Sequence, residues 1–220
     1  MPTLQEAMAQ GLCVVSSCEE MSWPWYRHPQ LAGQIDAQAR QAGKALLGTG
    51  INPGFVMDWL AVALSSAVRR VTMVRCTRRV DAALRRMPLQ AKVGAMMTVD
   101  QFNQKKAAGK LGHVGLPESV AMLASGLNHQ VLAGSVQVNL DPVIATTPMK
   151  SGLGLIEPGM VAGIHNTAHW SNDQLTIDLD LTMAVGTPDP KDVVELGGPV
   201  SVKCIIKGGF PGTRRPWPCW

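Results

Sequence analysis

The chain has 220 residues, 46% of them hydrophobic and 16% charged, with a formal net charge of +4. That balance excludes a disordered chain and supplies core material for one large or two small domains. Five cysteines (Cys13, Cys18, Cys76, Cys204 and Cys219) are odd in number and form no CxxC pair, which argues against a disulfide framework and a zinc site and for a reducing compartment. The opening residues lack a basic stretch followed by an apolar run, and no apolar run approaches the roughly 20 residues that span a bilayer, so a cytoplasmic protein with no membrane partner is expected. Arginines cluster between Arg69 and Arg86, but without interleaved aromatics. A few guanidiniums suit a small carboxylate or phosphate ligand better than a nucleic acid.

In chain order, residues 2–10 read as a helix closed by Gly11, and residues 13–16 as a short buried strand. Residues 29–42 read as a second helix, with Leu31, Ile35 and Ala39 four apart and Gly43 at its end; residues 45–47 are a second buried strand. This alternation points to a parallel α/β arrangement. After the Asn52-Pro53-Gly54 break a helix is expected over about 55–68, then a strand over 71–80 and a helix near 99–108. Pro117 in the first turn and Glu118 at the positive end of the dipole start a further helix that runs to about Leu127.

Beyond Asn128 the texture changes. Residues 131–145, 159–170, 175–185 and 200–206 are rich in β-branched and alternating residues, with turns at 171–173, 187–190 and 197–199. Strict alternation in Thr176 to Leu181 marks a strand with one wet face. The fold class expected is therefore α/β: an incomplete Rossmann-like segment, then an α+β domain whose largely antiparallel sheet carries helices on one face.

No GxGxxG follows a strand, and the nearest string, Gly48 to Gly54, has the wrong spacing. The pyrophosphate-binding front of a dinucleotide domain is therefore not in the sequence. The last eight residues, 213–220, fit neither strand nor helix, and their codons permit a shifted frame that reads as a small, apolar strand. The organisation expected is a Rossmann remnant over 1–55, a substrate and oligomerisation domain over 56–212, and an aberrant, frameshifted tail over 213–220.

Four strings, in order, resemble the 2,4-diaminopentanoate dehydrogenase family, distant relatives of dihydrodipicolinate reductase. They are VVSSCEE at 14–20 with WPWY at 23–26, GTGINPGFVMD at 48–58, RRMPLQAKVG at 85–94 and GHVGLPES at 112–119. The resemblance implies a Rossmann domain joined to an α/β substrate domain. It further implies NAD or NADP as cofactor, a small amino acid as substrate, a homo-oligomer, and oxidative deamination by hydride transfer. Dihydrodipicolinate reductases carry paired histidines on the strand corresponding to 71–80, where this chain has Arg75-Cys76-Thr77-Arg78-Arg79-Val80, so reductase chemistry on that substrate is disfavoured. Two alternatives stand beside it: a non-catalytic truncated fragment that folds and self-associates, and an oxidoreductase similar to dihydrodipicolinate reductase with another substrate.

The resemblance puts Ser17, Cys18, Asn52, Pro53, Gly54 and Phe55 at two strand ends where a nicotinamide would lie. Pro53 and Gly54 allow a sharp turn and a close backbone approach, although a plain strand-to-helix turn has the same composition. Arg85 and Arg86 are candidates to clamp the substrate carboxylate, with Gln90 and Lys92 adding polar contacts; a solvated basic loop reads the same way. Glu19 and Glu20 are candidates for the substrate ammonium. Asp58, His113 and Glu118 are candidates for acid–base work, though a lone histidine is more often a structural donor. No metal is expected.

Overall fold

The structure is a computed structural model, and it describes residues 2–112 and 115–211. His113 and the tail expected to be frameshifted lie outside the described residues.

The first part is a small helix–strand repeat: α1 (Pro2–Ala9), β1 (Val14–Ser16), a single 3-10 turn (Glu19–Ser22), α2 (Pro29–Ala42) and β2 (Leu46–Gly48). α2 has the bounds its sequence demands. Pro29 occupies the first turn, and Gly43, at φ 60°, returns its N–H to the carbonyls of Ala39 and Arg40. β1 and β2 pair in parallel, Val14 opposite Leu46. Met8, Ile35 and Ala39 form a small core beneath them, separate from the main one.

The second part is built on a six-stranded sheet. In chain order its elements are α3 (Trp59–Ser65), β3 (Met73–Asp81), a 3-10 turn (Ala82–Leu84), α4 (Met87–Lys92), α5 (Val99–Ala107), α6 (Leu116–Gly126), β4 (Gln137–Ile144), the hairpin β5 (Met149–Ser151) and β6 (Gly154–Ile156), β7 (Val161–Ser171), β8 (Thr176–Ala184), β9 (Lys191–Gly197) and β10 (Val202–Lys207). The strand order is β10-β9-β3-β8-β7-β4. Only β3 and β8 run parallel, so the sheet is largely antiparallel, and the fold is the mixed α/β class expected.

Period-2 alternation sorts the strands into two faces. Val74, Cys76 and Val80 of β3, Ile177, Leu179 and Leu181 of β8, and Ile164 and Ala168 of β7 are buried on one face. α6 covers it with Leu116, Val120, Leu123 and Ala124, and α3 with Ala61. Each such buried aliphatic chain contributes about 1.5–3 kcal/mol. α6 is apolar nearly all round because it is enclosed nearly all round. The opposite face carries Arg75, Thr77 and Arg79, Asp178 and Asp180, and His165 and His169.

Several elements differ from the sequence reading, among them the hairpin β5–β6, which falls between the strands expected over 131–145 and 159–170. β9 was not anticipated, because two strong turn signals leave only seven residues between them. α4 was not anticipated either, since Pro88 and six residues make a weak periodic signal. The helix expected from Phe55 starts at Trp59, where the Asp58 side chain accepts the Trp59 N–H and fixes the helix origin.

Leu179 lies at the centre of the buried sheet face with 1% exposure. Leu179→Ala is expected to lower the unfolding free energy by about 2–5 kcal/mol, since a central site between two strands cannot collapse around the void. Urea unfolding with an unchanged m value checks this; a loss below about 1 kcal/mol would contradict the packing described.

Candidate functional site

A cavity of about 180 Å³ opens where the ends of β1 and β2 face the turn after β3. Glu19, Ile51 and Asn52 line it from the first part of the chain. Arg78, Arg85, Arg86, Leu89, Lys92 and Val93 line it from β3, the following turn and α4, and Gly112 and Met183 complete it. Four basic side chains thus meet one carboxylate. Lys92 Nζ lies 3.5 Å from both Glu19 carboxylate oxygens, an ion pair across the two parts of the chain. No carboxylate among the described residues lies within ion-pair distance of Arg86, which is exposed.

Arg78 was not singled out by sequence, and neither was Asp192. Arg78 occupies the buried phase of β3, between Cys76 and Val80, with 3% exposure. Register puts Asp192 of β9 directly opposite. Arg78 Nη1 donates to both Asp192 carboxylate oxygens at 2.7 Å, and Nη2 donates to the Phe210 carbonyl at 3.1 Å. The Phe210 N–H donates back to Asp192 Oδ2 at 2.7 Å. One signal was legible: an arginine in the apolar phase of a strand must find a buried partner.

The loop 49–58 folds on itself. A Cβ at Gly48 would lie 1.8 Å from the Met21 carbonyl oxygen, and one at Gly50 2.6 Å from that of Pro53. Gly48 thus lets β2 close against the 3-10 turn after β1, Gly50 lets the loop close onto its own backbone, and neither forms a phosphate cradle. The Gly54 N–H, expected to serve a ligand, donates to Asp58 Oδ2 at 2.8 Å. Pro53 packs against Gly115, where a Cβ would approach its ring to 2.5 Å. The Phe55 ring meets the Phe210 ring edge-on, centroids 5.3 Å apart.

Several expected site residues are placed away from the cavity. Asp58 is fully buried; its carboxylate accepts from the Gly54 and Trp59 amides and from Ser119 Oγ at 2.8 Å, and it anchors the loop to α3 and α6. Glu118 is also fully buried and pairs through Oε1 with Arg27, which ties the segment before α2 to α6. Gln90 is buried; its amide donates to the Ala83 and Arg85 carbonyls and its oxygen accepts the Gly152 N–H. That side chain braces α4 and is not presented to a ligand. Glu20 lies 3.9 Å from His28 and does not line the cavity. Ser17 and Cys18 are exposed just beyond β1, the Cys18 amide donating to Ser16 Oγ at 3.2 Å. The structure thus brings together Glu19, Asn52, Arg85, Arg86 and Lys92 of the expected set, and adds Arg78.

What this arrangement can do follows from its charges. An anionic group fits between Arg78, Arg85 and Arg86, since guanidiniums grip carboxylates through paired hydrogen bonds. Glu19, the one carboxylate among the described lining residues, suits a cationic group on the same ligand. For a dinucleotide, the described residues offer the open ends of a parallel pair at Ser17, Cys18 and Asn52 and no glycine-rich phosphate turn, so they fit one end of such a group. Among the described residues no cluster of three or more His, Cys, Asp or Glu could hold a metal, and no helix is long and apolar enough to cross a membrane.

The profile of the 2,4-diaminopentanoate dehydrogenase C-terminal domain matches residues 55–213. The 2,4-diaminopentanoate dehydrogenase of Acetoanaerobium sticklandii is 36% identical over 152 residues, 68% of this chain and 42% of that protein. The chain thus spans about two-fifths of that relative's length. Among solved structures, the amine dehydrogenase from Mycobacterium smegmatis superposes with a TM-score of 0.77 at 20% identity, over 93% of this chain and 61% of that one. A biliverdin reductase from Synechocystis sp. PCC 6803 superposes with a TM-score of 0.50 at 12% identity, over 93% and 55%. Likeness at these identities shows a shared fold.

Burial pushes the Asp58 carboxyl above its ordinary value, against the lowering pull of hydrogen bonds from Gly54, Ser119 and Trp59. A raised folded value means that the folded state holds the proton more tightly than the unfolded one. The resulting stabilisation is complete below the unfolded value and disappears as pH rises through the folded value. The unfolding free energy of the protein minus that of Asp58→Asn, which cannot titrate, should therefore fall as pH rises from about 4 towards neutrality. Chemical unfolding across that range measures it; a difference that grows with pH would contradict the burial-dominated shift.

Proposed function

Because this chain belongs to the 2,4-diaminopentanoate dehydrogenase family, we propose that it is the substrate-binding portion of an NAD(P)-dependent amino acid dehydrogenase that deaminates 2,4-diaminopentanoate or a similar diamino acid. The observation that carries this reading is the cavity at the strand ends, where Arg78, Arg85 and Arg86 line with Glu19 a space sized for a few heavy atoms. A diamino acid has a carboxylate for the first group and an ammonium for the second.

When bound, a nicotinamide would supply a hydride acceptor for the amine-bearing carbon, and water would complete the deamination to a ketone and ammonia. The chain's own residues bind, orient and move protons. Arg85 and Arg86 hold the carboxylate. Glu19 receives the ammonium, and in the resting site Lys92 satisfies its carboxylate. Glu19 is also the carboxylate placed to take up the proton that the amine must lose, since Asp58 and Glu118 are buried and committed to other partners. Residues 16–18 and 49–52, at the ends of β1 and β2, form the side on which the nicotinamide would lie, and Leu89, Val93 and Met183 line the cavity with apolar surface. On this reading residues 1–55 complete a dinucleotide domain, and residues 56–212 are the substrate domain, which self-associates into a homo-oligomer.

Arg86 is exposed, so its removal should cost little stability. Arg86→Ala is expected to weaken 2,4-diaminopentanoate binding roughly tenfold, the value of one charge-assisted hydrogen-bonded pair. Titration followed by NMR checks this, and equal affinities for protein and variant would remove the carboxylate clamp. A parallel thermal-shift titration with NAD+ and NADP+ tests the cofactor; no shift at millimolar concentration would reject the chain alone as an active dehydrogenase.

A further inference from the structure

Arg78 has more donors than its partners consume. The guanidinium carries five N–H groups, and among the described residues its hydrogen bonds go only to Asp192 and to the Phe210 carbonyl. It is nevertheless 3% exposed, and it lines the same cavity as Arg85 and Arg86. None of its nitrogens is a buried donor without a partner, so the unused N–H groups are reached from the cavity, where an anionic ligand can accept from them.

Asp192 decides where that guanidinium sits. Its two oxygens take Nη1, and one of them also takes the Phe210 N–H, while the Phe210 carbonyl takes Nη2. The four groups close a ring. The ring fixes the arginine fork in rotation, and it holds the backbone of Phe210 so that its ring meets Phe55, one residue after the Asn52-Pro53-Gly54 turn. Asp192 itself is fully buried and absent from the cavity lining, so it acts through its neighbours.

We propose that Asp192 is a positioning residue for this cavity: through Arg78 it sets the charge that receives a substrate carboxylate, and through Phe210 it sets the aromatic contact that backs the strand-end loop. The proposal rests on the cavity being the carboxylate end of the substrate site. Three of the site's cationic groups then divide their work. Arg85 and Arg86 approach the carboxylate from the turn before α4. Arg78 meets it from the middle of a sheet, with its orientation already set by Asp192 and no freedom left to lose on binding.

The test uses the 220-residue chain and two probes, 2,4-diaminopentanoate and butane-1,3-diamine, which is the same molecule without its carboxylate. NMR titration gives the ratio of their dissociation constants. Partial unfolding lowers both affinities by one factor, so a purely structural defect does not move the ratio. The unmodified chain should prefer 2,4-diaminopentanoate by about tenfold or more, and Asp192→Asn should bring the ratio within about threefold. Arg78→Lys keeps a cation opposite Asp192 but cannot reach both Asp192 and the Phe210 carbonyl. It should reduce the ratio in the same way, and it decides the matter if Asp192→Asn does not fold. Folded variants that keep the tenfold preference overturn the positioning role of Asp192. An unmodified chain that binds both probes equally overturns the carboxylate reading of the cavity, and the proposal with it.

Discussion

Asp58 accepts three hydrogen bonds in a place that water does not reach: the Gly54 amide from the strand-end loop, the Trp59 amide at the start of α3, and the Ser119 hydroxyl from α6. The loop, one helix and the main covering helix of the sheet are thereby fixed to one point. Those three donors offset part of the cost of burying the charge, and losing any one would leave more of a buried carboxylate unsatisfied. The placement of Pro53 on Gly115, and with it the wall of the cavity, follows from this anchor.

Two further ion pairs extend the same logic outward. Arg27 reaches Glu118 on α6, and Lys92 reaches Glu19. Both cross from the small parallel pair to the sheet domain. Lys92 and Glu19 are both partly exposed, so their contact contributes modestly to stability, whereas Arg27 supplies the charge partner of a fully buried carboxylate. The value of both pairs lies in registering one part of the chain against the other, which is what a site built from both parts needs. The Arg78–Asp192 pair differs in kind, being enclosed on both sides with both Asp192 oxygens hydrogen-bonded, and such pairs specify geometry more than they add stability.

Charge balance explains why the cavity suits an amino acid. Asp192 pairs with Arg78 and Glu19 with Lys92, while Arg86 has no carboxylate within ion-pair distance among the described residues, which leaves positive charge at its end of the cavity. A ligand with a carboxylate at one end and an amine at the other matches that asymmetry. A ligand with amines alone would meet that charge unfavourably.

Much of the fold was determined by local sequence alone. Pro29 and Gly43 bound α2, the Thr98–Gln101 capping box starts α5, and the alternation in Thr176 to Leu181 assigns β8 and its wet face. These signals depend on neighbours a few residues away, which a sequence displays directly. Of the site, the arginine pair, Lys92, Glu19 and Asn52 were legible from composition and from the resemblance of their strings. Tertiary structure decided the rest. Asp58, one turn from Gly54, reads as a cleft residue until α6 arrives with Ser119, 61 positions later. Gln90 reads as a ligand contact until Gly152 covers it. Arg78 acquires a partner 114 residues away only because β9, hidden between two turns, lies beside β3 in one register; a shift of one residue would send Asp192 to the opposite face. A buried charge announces that it needs a partner, but which partner it finds depends on strand order, and strand order is settled by packing the whole sheet.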